Sequence, residues 1–325
     1  MDKSIDKRRI ILYLLFAFGI AWATGLVIFL TGGIANNPLA LPLEAVAYMG
    51  APAAAHLLTR LVTREGWHDL YLRPKFRRGW RYWLICWVAP AVLTIFGIVV
   101  FFALFPQYFD PALGYVQKLL QSAAAQAGQA GSAVTQMSPW TLVLAQTAQA
   151  IIIAPILNGL PTLGEEFGWR AYLLPKLMPL GGRKAMLLIG VIWGVWHWPI
   201  IAMGHNYGQT YAGFPWLGML AMVWFTLGCG TLLGWAALRS GSVWPAVIGH
   251  AAINGIAALG LLLQQGQPNP LLGPSAAGVI GSIGFAIVAL VIFLSPRALR
   301  PAQESLLETG QTSALGYTGT RDRSI

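Results

Sequence analysis

A chain of 325 residues that is 56% hydrophobic and only 10% charged has too few ionic side chains to cover a soluble globule of its size. The net charge of +10 is not a nucleic-acid footprint, because the cations gather beside apolar runs, where they bias orientation and attract anionic lipid headgroups. What remains is an all-α polytopic bundle embedded in the lipid bilayer.

Eight runs have about the length of a membrane-crossing helix: residues 10–32, 41–62, 82–105, 139–160, 184–203, 215–238, 242–264 and 275–295. The first follows Lys7, Arg8 and Arg9, but it exceeds a signal-peptide core and shows no small-residue cleavage site, so it is read as a retained helix. The second is interrupted by Glu44, His56 and Arg60 and is expected to be tilted or partly embedded. Residues 64–81, where Trp67, Tyr71 and Trp80 alternate with Arg and Lys, are expected to lie along the membrane surface. Residues 120–138, rich in Ala, Gln, Gly and Ser, read as a mobile external connection. Gly190/Gly194 and Gly230/Gly234 are spaced for close helix contact.

Cations recur before the first run, between the second and third, before the fifth, between the sixth and seventh, and after the eighth. The alternate connections carry almost none. By the positive-inside rule this pattern puts both termini in the cytoplasm of a multi-pass protein, with the plasma membrane as its expected location. Residues 1–298 read as one membrane domain, and 299–325 as a disordered cytoplasmic tail. Cys86 and Cys229 lie inside apolar runs and point to neither a disulfide framework nor a thiolate metal site.

Chemistry concentrates in three clusters. Glu165 and Glu166 are adjacent, and apart from them no acidic residue occurs between Asp110 and Glu304. A carboxylate in hydrocarbon costs several kcal/mol unless it is paired or faces a wet cavity, so such a pair marks a functional site by default. Glu166 and Arg170 are four apart and share a helix face, whereas Glu165 is turned about 100° away. Glu166 is therefore read as the paired, supporting acid and Glu165 as the one available to a site; a buried pair that merely joins helices is the bland alternative for Glu166. His197 lies in Trp193-Gly194-Val195-Trp196-His197-Trp198-Pro199, where Pro199 deprives the Val195 carbonyl of its helical donor and should kink the helix. His250 and Asn254 are four apart on one face and can both donate hydrogen bonds toward one point. Counted from the flanking cations, Glu165, His197 and His250 all fall roughly 17–20 Å deep, so one intramembrane site is expected. His56, His68 and His205 are weaker candidates.

These clusters, in this order, resemble the signature of the CPBP family of intramembrane proteases, which includes type II CAAX prenyl endopeptidases and the bacteriocin-processing or immunity proteins also called Abi. Glu165, Glu166 and Arg170 match its Glu-Glu-x-x-x-Arg, and His250 and Asn254 its His-x-x-x-Asn. Trp193 stands three residues before a histidine, where Phe is usual. The resemblance covers about residues 139–265. It implies that Glu165, with His197, activates a water as general base. His250 and Asn254 would stabilise the oxyanion, and Glu166 with Arg170 would hold the helix. The implied partner is a membrane-bound peptide or protein, with a prenylated C-terminus as one form.

No cofactor is favoured. Zinc held by Glu165, His197 and His250 is the alternative, and family members have been described both as metalloproteases and as glutamate-dependent enzymes; here there is no His-Glu-x-x-His, and spending Glu165 as a ligand would leave no base. A transporter or non-catalytic scaffold on the same fold is the rival from another class.

Overall fold

The computed structural model describes residues 5–127, 138–295 and 297–300. The regular secondary structure of the described residues is all helical, with no strand and a single antiparallel bridge between Phe109 and Gln264. The longer helices are labelled α1 (Lys7–Leu30), α2 (Met49–Thr63), α3 (Phe76–Leu104), α4 (Gly114–Ala127), α5 (Pro139–Ile152), α6 (Gly159–Gly168), α7 (Gly182–Trp196), α8 (Trp216–Ser240), α9 (Trp244–Ile256) and α10 (Ile283–Leu294).

Four of the described helical segments are long and apolar enough to cross a membrane: Lys7–Leu30, Gly79–Leu104, Trp216–Ser240 and Trp244–Leu262. Their outward faces carry large exposed apolar side chains, among them Leu15, Phe29 and Leu30 on α1 and Val92 and Val99 on α3. In water such a surface would aggregate; against acyl chains it is solvated. The protein is an integral membrane protein whose inside and outside are both apolar.

The remaining expected runs are interrupted, and prolines explain two of the breaks. Pro155 offers no N–H to the Ile151 carbonyl, which instead accepts from the Trp87 indole at 2.8 Å, and α5 stops at Ile152. Pro199 ends α7 at Trp196, and the Trp196 carbonyl accepts from the Tyr48 hydroxyl at 2.6 Å and the Trp22 indole at 3.2 Å. The kink expected at Pro199 is present, although the carbonyl taken up by side chains belongs to Trp196 rather than Val195. Residues ahead of Ile283 form turns, where Gly273, Pro274, Gly278 and Gly281 break the helix expected from 275.

Two surface expectations are corrected. The helix expected from residue 82 starts at Phe76, so the end of the 64–81 stretch belongs to α3. Residues 120–127, read as part of a mobile connection, are helical in α4: Asp110 accepts from the backbone N–H groups of Ala112 and Gly114 at 3.0 and 2.6 Å and starts the helix, and the Ala-Gln sequence continues it. Residues 128–137 of that connection, and residues 301–325 of the tail, lie outside the described residues.

Small residues set the interior spacing. A Cβ on Gly190 would fall 2.6 Å from the Leu227 side chain, and one on Gly194 2.6 Å from the Val223 Cα, so α7 and α8 approach at backbone distance. The Thr226 hydroxyl donates to the Gly190 carbonyl across that seam at 2.8 Å. Beside it, Trp169, Trp196, Tyr13, Tyr48 and Tyr172 are fully buried and form the aromatic centre of the bundle. Cys86 and Cys229 are both buried and free.

Candidate active site

The acidic pair sits at the end of α6, which is pressed against α2. A Cβ on Gly164 would lie 2.7 Å from the Met49 carbonyl oxygen, and one on Gly168 would overlap Pro52. These two glycines face α2 and turn Glu165 and Glu166 into the bundle, where their exposures are 2% and 0%. After Gly168 the helix widens into a π turn, Trp169–Leu173. Such turns interrupt the regular backbone ladder and cluster at functional sites. The Phe167 carbonyl just before it takes a side-chain donor, the His56 Nδ1–H, at 2.9 Å. His56 Nε2 in turn accepts from Arg60 Nε at 2.7 Å, which fixes the proton on Nδ1. His56, a weak catalytic candidate in the sequence, thus has a structural task.

Glu166 pairs with Arg170 as the spacing predicts, Nη1 to Oε1 at 2.8 Å. The same Oε1 also receives His250 Nδ1 at 2.9 Å, a partner 84 residues away. Because the ionised carboxylate only accepts, Nδ1 of His250 carries the proton and Nε2 is the ring nitrogen left for chemistry. The pair is costly: Glu166 Oε2 and Arg170 Nε and Nη2 are buried without hydrogen-bond partners. Part of that cost is offset by the Trp193 ring, which lies 4.4 Å from the Arg170 guanidinium carbon.

Trp193 also donates its indole N–H to Glu165 Oε2 at 2.7 Å and meets the His250 ring edge-on at 5.2 Å. One turn later His197 gives Nδ1–H to the Trp193 carbonyl at 2.7 Å, so its Nε2 is an acceptor. The sequence marked Trp193 only as a departure from the usual Phe; the signal that it binds Glu165 was the N–H that Phe lacks.

Glu165, His197, His250 and Asn254 line one cavity of about 250 Å³. Arg170 and Glu166 stand behind its wall. The cavity therefore brings together the four residues expected to act and leaves the expected support pair outside it. Among the described residues no three His, Cys, Asp or Glu side chains group closely enough in this geometry to hold a metal. Trp193 takes one oxygen of Glu165 and the Nδ1 atoms of both histidines are bonded, which leaves the second Glu165 oxygen and Nε2 of each ring for other partners.

Residues 138–256, which contain Glu165, Glu166, Arg170, Trp193, His197, His250 and Asn254, match the Rce1-like family of type II CAAX prenyl endopeptidases. A curated relative, CAAX prenyl protease 2 of Methanococcus maripaludis, is 32% identical over 93 residues, which is 28% of this chain and 34% of that protein. The match thus spans about a third of the relative's length. Both findings point to the CAAX-type, CPBP family that the three motifs resemble, and over this segment the resemblance stands.

Proposed function

We propose that the protein is an intramembrane endopeptidase that hydrolyses a peptide bond of a membrane-associated substrate. The observation that carries this reading is the shared cavity of Glu165, His197, His250 and Asn254. A water between Glu165 and His197 Nε2 would meet two acceptors; Glu165 takes its proton as the oxygen attacks the carbonyl. The oxyanion is met by the Asn254 amide and by His250, whose Nδ1 Glu166 holds. Glu165 then returns the proton to the leaving amine. Both new termini and the regenerated carboxylate complete the turnover.

The curated relative's name makes a prenylated C-terminal segment one substrate to try, and a membrane-bound precursor peptide such as that of a bacteriocin another. The alternation of cation-rich and cation-poor connections supports eight crossings with both termini in the cytoplasm, in the plasma membrane. The composition also supports a membrane domain over 1–298 with a separate tail.

The test is cleavage of prenylated and unprenylated membrane peptides by the purified protein and by Glu165→Gln, with and without a zinc chelator. Glu165→Gln is expected to abolish cleavage, and chelator to leave it unchanged. Loss with chelator would move the chemistry to a metal form. Absence of Glu165-dependent cleavage throughout would leave a scaffold or transporter.

A further inference from the structure

The cavity does not end at the four residues above. Its wall continues past Tyr48 and Met49 to Glu44, and across to His205 and Asn206. Glu44 opens the π turn Glu44–Tyr48 that leads into α2, at the end of α2 opposite the cationic 64–81 stretch. Because Gly164 touches the Met49 carbonyl, Met49 lies near the level of Glu165. Glu44 precedes Met49 along the helical chain and stands roughly 7 Å farther along the cavity at ~1.5 Å per residue.

Glu44 Oε1 pairs with His205 Nδ1 at 3.0 Å. Its Oε2 is buried and has no hydrogen-bond partner. The Glu44 side chain is 13% exposed, and the residues lining the cavity include no Lys or Arg. A desolvated carboxylate oxygen without a donor is expensive. A hydroxyl could satisfy the oxygen, but an ammonium or guanidinium donor also brings positive charge to a cavity wall that holds Glu44 and Glu165 and no Lys or Arg.

We propose that Glu44, steadied by His205, is a substrate subsite for a lysine or arginine side chain. This rests on the peptidase reading for the position of the scissile bond. An extended peptide advances about 3.3–3.6 Å per residue, so roughly 7 Å places the basic residue about two positions from the bond that is cut.

The test uses full-length protein in lipid nanodiscs and an apolar peptide series in which a single lysine, or norleucine as its uncharged counterpart, is moved along the chain. Binding is measured to Glu165→Gln, so that turnover does not interfere. At one position lysine is expected to bind about tenfold or more tightly than norleucine. Adding Glu44→Gln should erase that preference, and adding Glu44→Lys should transfer it to a glutamate-bearing peptide. Lack of any lysine preference overturns the subsite without requiring a substitution at Glu44, and a preference that survives Glu44→Gln overturns it as well. Wild-type cleavage separates the two readings. Glu165-dependent cleavage with no lysine preference refutes the subsite alone, whereas lysine-dependent binding without such cleavage leaves Glu44 a cation-binding position and refutes the peptidase, and with it the substrate role.

Discussion

At the scale of single residues, Trp193 links the parts of the site. It bonds Glu165, covers the Arg170 guanidinium, meets His250 and gives its carbonyl to His197. Trp193→Phe keeps a ring over Arg170 but deletes the N–H that orients Glu165, making Trp193 a positioning residue. We expect kcat to fall ~10-fold or more, the range of a hydrogen bond to a charged group, with KM nearly unchanged, in steady-state cleavage of any peptide the wild type hydrolyses. Comparable losses in both constants would mean that Trp193 touches substrate instead. Glu165, His197, His250 and Asn254 were legible as one group because intramembrane polar residues at equal depth must share whatever wet space exists. The second partner of Glu166 was not legible, since nothing local in sequence connects residue 166 with residue 250.

At the scale of elements, the site depends on how closely α6 approaches α2. Gly164→Ala would put a methyl group 2.7 Å from the Met49 carbonyl, and backbone on one side leaves it no flexible neighbour to displace. We expect a loss of about 1–3 kcal/mol, typical of overpacking, measured as lowered unfolding stability in detergent, together with reduced cleavage as Glu165 shifts. An unchanged stability would show that α6 can move away from α2 freely. The Pro199 break could be read from sequence because a proline deep in an apolar run has a defined backbone consequence. The π turn at Trp169–Leu173 could not, because its sequence is compatible with an ordinary helix, and its neighbouring carbonyl is held by His56 from another element.

At the scale of the molecule, Glu65 ties together segments from both halves of the chain. It accepts from Lys176 Nζ at 2.6 Å and the Tyr172 hydroxyl at 3.0 Å, with Arg9 Nε at 3.5 Å. Burial pushes its carboxyl up, but the Lys176 bond and charge, the Tyr172 bond and the Arg60 charge outweigh burial and hold it below the ordinary 4.5. A depressed carboxyl contributes stability that is complete above its unfolded value and is lost as pH falls through the lower folded one. Thermal unfolding of wild type should therefore weaken below about pH 4.5 more steeply than that of Glu65→Gln, and parallel profiles would remove Glu65 from that role. An all-helical membrane architecture followed from composition alone, whereas the lengths of its pieces depended on breaks and side-chain partners that hydropathy does not see. Those breaks have a dynamic consequence. Glu165 precedes a π turn, His197 sits at the end of α7 and Glu44 begins another π turn, while α8 runs 25 residues without an internal proline. Backbone amides around the three polar residues should exchange with deuterium faster than those at the centre of α8, so the site can rearrange around a peptide by local opening while its frame stays closed.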